Sequence, residues 1–321
     1  AYSTLSQLGF MVAALGIGLV YMNVLAYLME AYPQAKTQVT GVAACGFAGG
    51  SALVSLLWSG PLQQGWPVLQ VLGAMGLANA AIIACGALLL PPLRTCALPA
   101  SERNPALHGP PPAYGALLRN PQLWLLLLGF LANTFVGFLV IGSLKPLASQ
   151  YGLLPATAAL SVAGFSLGNT VGRLAWGWIA AKAGRVLLPL GMLGIAFGAL
   201  GLAVPALLPS LGATAAVPTY LASVGLFGFF FGSGFVLYPS QAAERFGTHA
   251  VGRSYPLIIL AQAVSALSAP PLAGALADAT GSYGYAPALA GGLALVASLA
   301  LWLLDKRQAP QVNGALVCEM P

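Results

Sequence analysis

Apolar stretches of about 20 residues, one after another and bounded by proline, glycine or charge, constrain this chain more than any other feature. They run approximately over 8–31, 38–62, 66–91, 122–148, 154–180, 186–206, 216–241, 253–277 and 284–304. Hydrocarbon offers no hydrogen bonds, so each stretch must satisfy its backbone internally; a helix does so at this length, whereas a barrel strand needs only about 10 residues. Composition agrees, with 59% of the 321 residues apolar and 6% charged, where a soluble domain carries about 25% charge. The expectation is an all-α membrane protein of about nine transmembrane helices, with the lipid bilayer as its solvent.

The net charge of +6 does not point to nucleic acid, because the basic residues are dispersed singly and form no patch. Topology explains them. If the second end of the first stretch is cytoplasmic, alternating loops put Lys36, Arg94, Arg103, Arg119, Lys182, Arg185, Arg245, Arg253, Lys306 and Arg307 inside, which is 10 of the 12 basic residues. Trp124, Trp176, Trp178 and Trp302 then read as an inner aromatic belt. An odd number of spans with an inner C-terminus puts the N-terminus outside. The chain starts at Ala1 without a charged leading segment, so no signal peptide is visible. Cys45, Cys85, Cys96 and Cys318 lack metal-type spacing and read as small packing residues, with no disulfide framework and no metal.

Pro91-Pro92 and Pro110-Pro111-Pro112 bracket the longest polar break. We read residues 1–91 as one helical group, 92–120 as a cytoplasmic linker, 121–305 as a second group of six helices and 306–321 as a cytoplasmic tail. A repeat is visible: Gly16-Ile-Gly18-Leu-Val-Tyr21 leads through a short charged loop to a helix ending Gly60-Pro61-Leu62, and Gly232-Ser-Gly234-Phe-Val-Leu-Tyr238 leads to one ending Pro270-Pro271-Leu272. Spans one to three thus pair with seven to nine, and four to six have no counterpart. The economical expectation is two six-helix halves from which the first three helices, roughly 90 residues, are absent.

The stretch Gly168-Asn169-Thr170-Val171-Gly172-Arg173-Leu174-Ala175-Trp176-Gly177-Trp178, followed by Ala181-Lys182-Ala183-Gly184-Arg185, resembles helix 8 and the 8–9 loop of the major facilitator superfamily. The similarity is to the branch containing oxalate/formate antiporters and monocarboxylate transporters, and extends through Gly137–Gln150, Gly16–Pro33, Tyr238-Pro239 and Phe246-Gly247. It implies the superfamily fold, covering family helices 4 to 12 in an N-terminally truncated chain. The implied function is secondary active transport, by exchange or symport, of small monocarboxylate-like organic anions through alternating access, without a cofactor. The resemblance also implies a gating motif at Gly177, Lys182, Gly184 and Arg185. Ala181 stands where the family places an acid that would latch one state, and without it Lys182 and Arg185 read first as topology determinants.

Arg173 is the residue to weigh most heavily. It lies nine residues before Lys182, about 13 Å along a helix, deeper than comfortable snorkelling. The plain alternative is an arginine stretched to the interface beside Trp176. A central arginine costs roughly 2.5–3.5 kcal/mol on insertion and usually lines a cavity, and its planar fork matches a carboxylate. Asn169 shares its face four residues earlier; the resemblance puts Asp there in proton-coupled members, so an amide favours the exchanger side.

Lys145, near the outer end of the fourth span, reads as substrate-facing or snorkelling. Tyr21 and Tyr238 hold matching places in the repeat and either face the cavity or fill the core. Gln262 stands, by resemblance, where oxalate exchangers carry a second cation, and its neutrality favours a monoanion. His108 and His249 lie in loops and need no role. The substrate-binding set is therefore Arg173, Asn169, Tyr21, Tyr238, Lys145 and Gln262. The alternative reading is a truncated or non-transporting paralogue of such a transporter. An enzyme is not expected, since no His cluster, paired acid or Ser-His constellation lies in the spans. A plasma membrane is preferred over an organelle membrane, and the sequence identifies no accessory protein.

Overall fold

The structure, a computed structural model, describes residues 16, 18, 20–89, 112–153, 155–182, 187–207 and 212–307, and within these the apolar stretches are predominantly helical. The first part holds α1 (20–31), α2 (Lys36–Gln63) and α3 (Val68–Leu89). After residue 111 come α4 (Tyr114–Arg119), α5 (Pro121–Ile141), α6 (Leu144–Gln150), α7 (Pro155–Lys182), α8 (Leu187–Leu207), α9 (Gly212–Phe246), α10 (Val251–Thr280) and α11 (Tyr285–Arg307). The described residues contain no strand. Six helices among them are long and apolar enough to cross a membrane: Leu69–Leu89, Pro121–Ile141, Leu187–Ala206, Ala216–Phe246, Thr248–Thr280 and Tyr285–Leu304. This is an all-helical, multi-pass membrane protein.

Local chemistry sets the boundaries. Asn120 caps α5 by accepting the Gln122 N–H at 2.9 Å, with Pro121 in the first turn where its missing N–H costs nothing. The stretch expected as one span over 122–148 breaks at Gly142-Ser143. Pro146 cannot donate to the carbonyl of residue 142, so the helix stops there and restarts as α6. Part of the expected linker is ordered: α4 lies within it, and Arg253 reaches both the Pro112 carbonyl, at 3.3 Å, and the Tyr114 ring.

Between apolar helices in lipid, close packing and hydrogen bonds replace the hydrophobic drive. Thr134 and Ser265 join α5 to α10 through hydroxyls 2.8 Å apart. Ser298 on α11 donates to the Pro189 carbonyl of α8 at 2.7 Å. The central helix is α9, buried throughout 231–240 and packed against α7, α8 and α5. Its contact with α7 is backbone to backbone: a Cβ on Gly168 would stand 2.5 Å from the Gly225 carbonyl, and one on Gly232 would stand 2.6 Å from the Asn169 carbonyl. Any larger residue there pushes the helices apart. Two glycines at that crossing thus hold Asn169 and Arg173 against α9.

Trp176 corrects the aromatic-belt expectation. It is buried against Phe229 and Phe230 of α9, because the α7–α9 crossing turns that face inward, while Trp124, Trp178 and Trp302 stay exposed. By contrast α3 packs weakly and turns Leu69, Leu77, Ile82 and Leu88 outward, an apolar surface that water would not tolerate.

Candidate functional site

Arg173 projects from α7 into the junction of five helices. It is 3% exposed. Its Nε donates to Asn169 Oδ1 at 3.1 Å, one helical turn earlier, and its Nη1 donates to the Ala44 carbonyl of α2 at 2.8 Å. Phe235 of α9 stacks under the guanidinium, 4.2 Å from its centre, and Phe47 of α2 lies at 5.9 Å. Tyr21 from α1 and Tyr255 from α10 are within electrostatic reach of the same charge.

Two features make this arrangement chemically open. A guanidinium carries five N–H donors, and the bonds above use two of them. Among the described residues no carboxylate stands beside it: Glu30, Glu244 and Asp278 are on exposed positions, and the ion pair found there joins Lys36 to Glu244. A cation with spare forked donors in an apolar junction suits a planar anion. No group of His, Cys, Asp or Glu able to hold a metal occurs among the described residues.

The other expected residues distribute differently. Tyr21 meets Phe47 with ring centres 5.6 Å apart, beside Arg173. Tyr238, its repeat partner, is turned away: its hydroxyl lies against Gly129 of α5, and its ring packs on Phe130. Lys145 is exposed on α6, and Gln262 is half-buried on α10, two turns beyond Tyr255. Neither joins the Arg173 cluster. Sequence reasoning missed Tyr255, Phe47, Phe235 and the Ala44 carbonyl; Phe235 adjoins the Gly232-Ser-Gly234 pattern, which was its one visible signal.

At the Lys182 end, α2 and α7 cross at Gly41 and Gly177, where a Cβ on Gly41 would stand 2.7 Å from the Arg173 carbonyl and 3.0 Å from the Gly177 Cα. Just beyond is a cavity of about 250 Å³ lined by Thr37, Ala181, Lys182, Ser240, Gln241 and Glu244, among others. Lys36 Nζ reaches Glu244 at 3.7 Å, and Gln241 donates to Glu244 at 2.6 Å while accepting from Arg245. An ionic tie between α2 and α9 thus stands next to Ala181, the position without the family's acid. Gly184 and Arg185 lie outside the described residues.

The family model of the Major Facilitator Superfamily matches residues 2–270. This chain belongs to the Major Facilitator Superfamily. Within the superfamily it is similar to the oxalate:formate antiporter of Oxalobacter formigenes, 29% identical over 163 residues that make up 51% of this chain and 38% of that protein. It is also similar to monocarboxylate transporter 11 of Homo sapiens, 30% identical over 297 residues, 90% of this chain and 60% of that protein. An uncharacterised transporter of the superfamily, YhjX of Escherichia coli (strain K12), is 31% identical over 144 residues, 44% of this chain and 34% of that protein. The chain spans less than two thirds of the length of these relatives. Among the described residues, Arg173 is the buried cation of the helical junction.

Proposed function

We propose that this chain is part of a secondary active transporter for small monocarboxylate-like anions, working by alternating access between two helical halves, residues 1–91 and 121–305, joined by 92–120. Arg173 is the anion's electrostatic partner. The observation that carries this reading is the buried guanidinium of α7, which has unused donors, no carboxylate beside it among the described residues, and one bond to the carbonyl of α2. The site therefore touches both halves. An anion held there is sensed by each, which is what coupling binding to a rocking motion requires. The Gly41–Gly177 crossing and the Lys36–Glu244 pair close one end of the path; parting them exposes Arg173 to that side. Names of relatives support the anion class, since two of them specify formate, oxalate or monocarboxylates.

The test uses the full-length protein in proteoliposomes, measuring counterflow of labelled formate, lactate, pyruvate and oxalate. Arg173→Lys retains charge and loses the fork, while Arg173→Gln loses both. Charged hydrogen bonds contribute about 1.5–3 kcal/mol, so apparent affinity drops on the order of 10- to 100-fold in Arg173→Gln, with the protein still reaching the membrane. Unchanged affinity and rate in Arg173→Gln would make Arg173 a structural residue and overturn the proposal.

A further inference from the structure

Beyond the glycine crossing of α2 and α7, the helices part around a cavity of about 250 Å³ that their own side chains do not fill. Thr37 of α2 forms one wall; Ala181 and Lys182 of α7, Leu187 of α8, and Ser240, Gln241 and Glu244 of α9 form the others. Thr37, Ser240 and Gln241 are each more than nine-tenths buried. Voids left by imperfect packing are lined by apolar groups and stay dry. A cavity walled by buried hydroxyls, an amide and two charges is polar enough to hold water or a ligand. Its charges do not balance. Glu244 uses both carboxylate oxygens, one facing Lys36 Nζ at 3.7 Å and the other accepting from Gln241 Nε2 at 2.6 Å. The Gln241 carbonyl oxygen in turn accepts from Arg245 at 3.2 Å. Among the described residues the ion pair found here is that of Lys36 with Glu244, so Lys182 lines the cavity with no carboxylate beside it. Its neighbour Ala181 supplies space and no polar atom.

We propose that this cavity is a second anion site, separate from Arg173, which takes a phosphate-type oxyanion on Lys182 and Thr37 and ties α2 to α7 and α9. An ammonium group offers three donors and no acceptor, and a hydroxyl from the facing helix can donate to the same oxyanion. Two lysines against one carboxylate leave a positive charge over, which an anion neutralises. Glu244 does not repel it strongly, because Lys36 and Gln241 already hold that carboxylate. A compact oxyanion suits the size of the space. It comes either from solution, as free phosphate, or from the headgroup of an anionic phospholipid, since Ala181 and Lys182 are exposed at the edge of the cavity. The walls come from α2 on one side and from α7, α8 and α9 on the other. A bound anion therefore favours the arrangement in which those helices touch. The site stands without the proposed transport reading of Arg173; only its effect on closure of the path rests on that reading.

The test is thermal melting of the full-length protein in lipid-free detergent, with inorganic phosphate replacing chloride at constant ionic strength. The melting temperature should rise saturably, on the order of 2–4 °C once phosphate is a few-fold above its dissociation constant. Lys182→Gln should abolish the rise by removing the cation, and Ala181→Asp by placing a fixed negative charge in the cavity. Arg119→Gln, which removes an exposed cation outside the cavity, should leave the rise intact. So should Arg173→Gln, which keeps this site distinct from the transport site; loss of the rise there would mean that phosphate acts at Arg173 and would overturn the proposal. Gly41→Ala, by moving α2 off α7, should raise the half-saturating phosphate concentration several-fold. Nanodiscs identify the source. If phosphatidylglycerol raises the melting temperature above that in phosphatidylcholine, and does so only with Lys182 present, the oxyanion is a lipid headgroup; if dissolved phosphate alone does so, it is a free ion. An equal rise in Lys182→Gln, or no rise with either source, refutes the site. Unchanged half-saturation in Gly41→Ala refutes the tie between α2 and α7.

Discussion

Adding one methyl group at Gly41 separates folding from closure. The new Cβ would stand 2.7 Å from the Arg173 carbonyl and 3.0 Å from the Gly177 Cα. Ordinary C···O contact needs about 3.3–3.6 Å, so α2 must retreat from α7 by roughly 0.6–0.9 Å. Most of that motion adds to the 2.8 Å bond between Arg173 and Ala44, moving it to the edge of hydrogen-bond range. Overpacking of this kind costs about 1–3 kcal/mol, and only in the arrangement where the helices touch. In the proposed alternating-access cycle, the equilibrium between closed and open forms at this end should shift about 5- to 150-fold toward open. Alanine also gains about 0.5–1 kcal/mol over glycine within a helix, but both arrangements are helical there, so this term appears in melting and not in closure. Gly46→Ala on the same helix, with no neighbour within 4 Å, isolates the melting term. Gly177→Ala is intermediate, its nearest atoms being 3.2 Å away. The assay is maleimide labelling of Ser240→Cys, a buried position lining the cavity, in a background without native cysteines. Labelling should accelerate in the order Gly46→Ala, Gly177→Ala, Gly41→Ala. Equal rates in all three would show that this crossing does not control access.

The Lys36–Glu244 pair is partly exposed, at 24% and 45% for the two side chains, so a double-mutant cycle with Lys36→Gln and Glu244→Gln should yield at most about 1 kcal/mol of coupling, fading with salt. A larger, salt-independent coupling would show a latch more buried than the geometry allows. The Thr134–Ser265 bond is buried in the bundle; a cycle with Thr134→Val and Ser265→Ala, read by thermal unfolding in detergent, should give about 0.6–1.7 kcal/mol, and zero coupling would mean that each hydroxyl is satisfied by its own helix.

Much of this protein is decided by local spacing. Runs of about 20 apolar residues specify helices whatever surrounds them, because hydrocarbon leaves the backbone no other partner. The depth of Arg173 follows from counting back from Lys182, and its bond to Asn169 follows from the four-residue period of the helix. What spacing cannot decide is which faces of different helices meet. Trp176 and Trp178 are two residues apart, yet one is buried against α9 and the other exposed, a division set by where Gly168 and Gly232 allow α7 and α9 to touch. Tyr21 and Tyr238 occupy equivalent places in a repeated pattern, but only Tyr21 comes to Arg173. Tyr255 sits among ordinary α10 residues with no motif around it, and the carbonyl of Ala44 carries no side-chain signal at all. The apolar helices and the place of Arg173 along its own helix were legible in one dimension; the company that cation keeps depends on glycine-limited helix crossings, which exist only once the chain is packed.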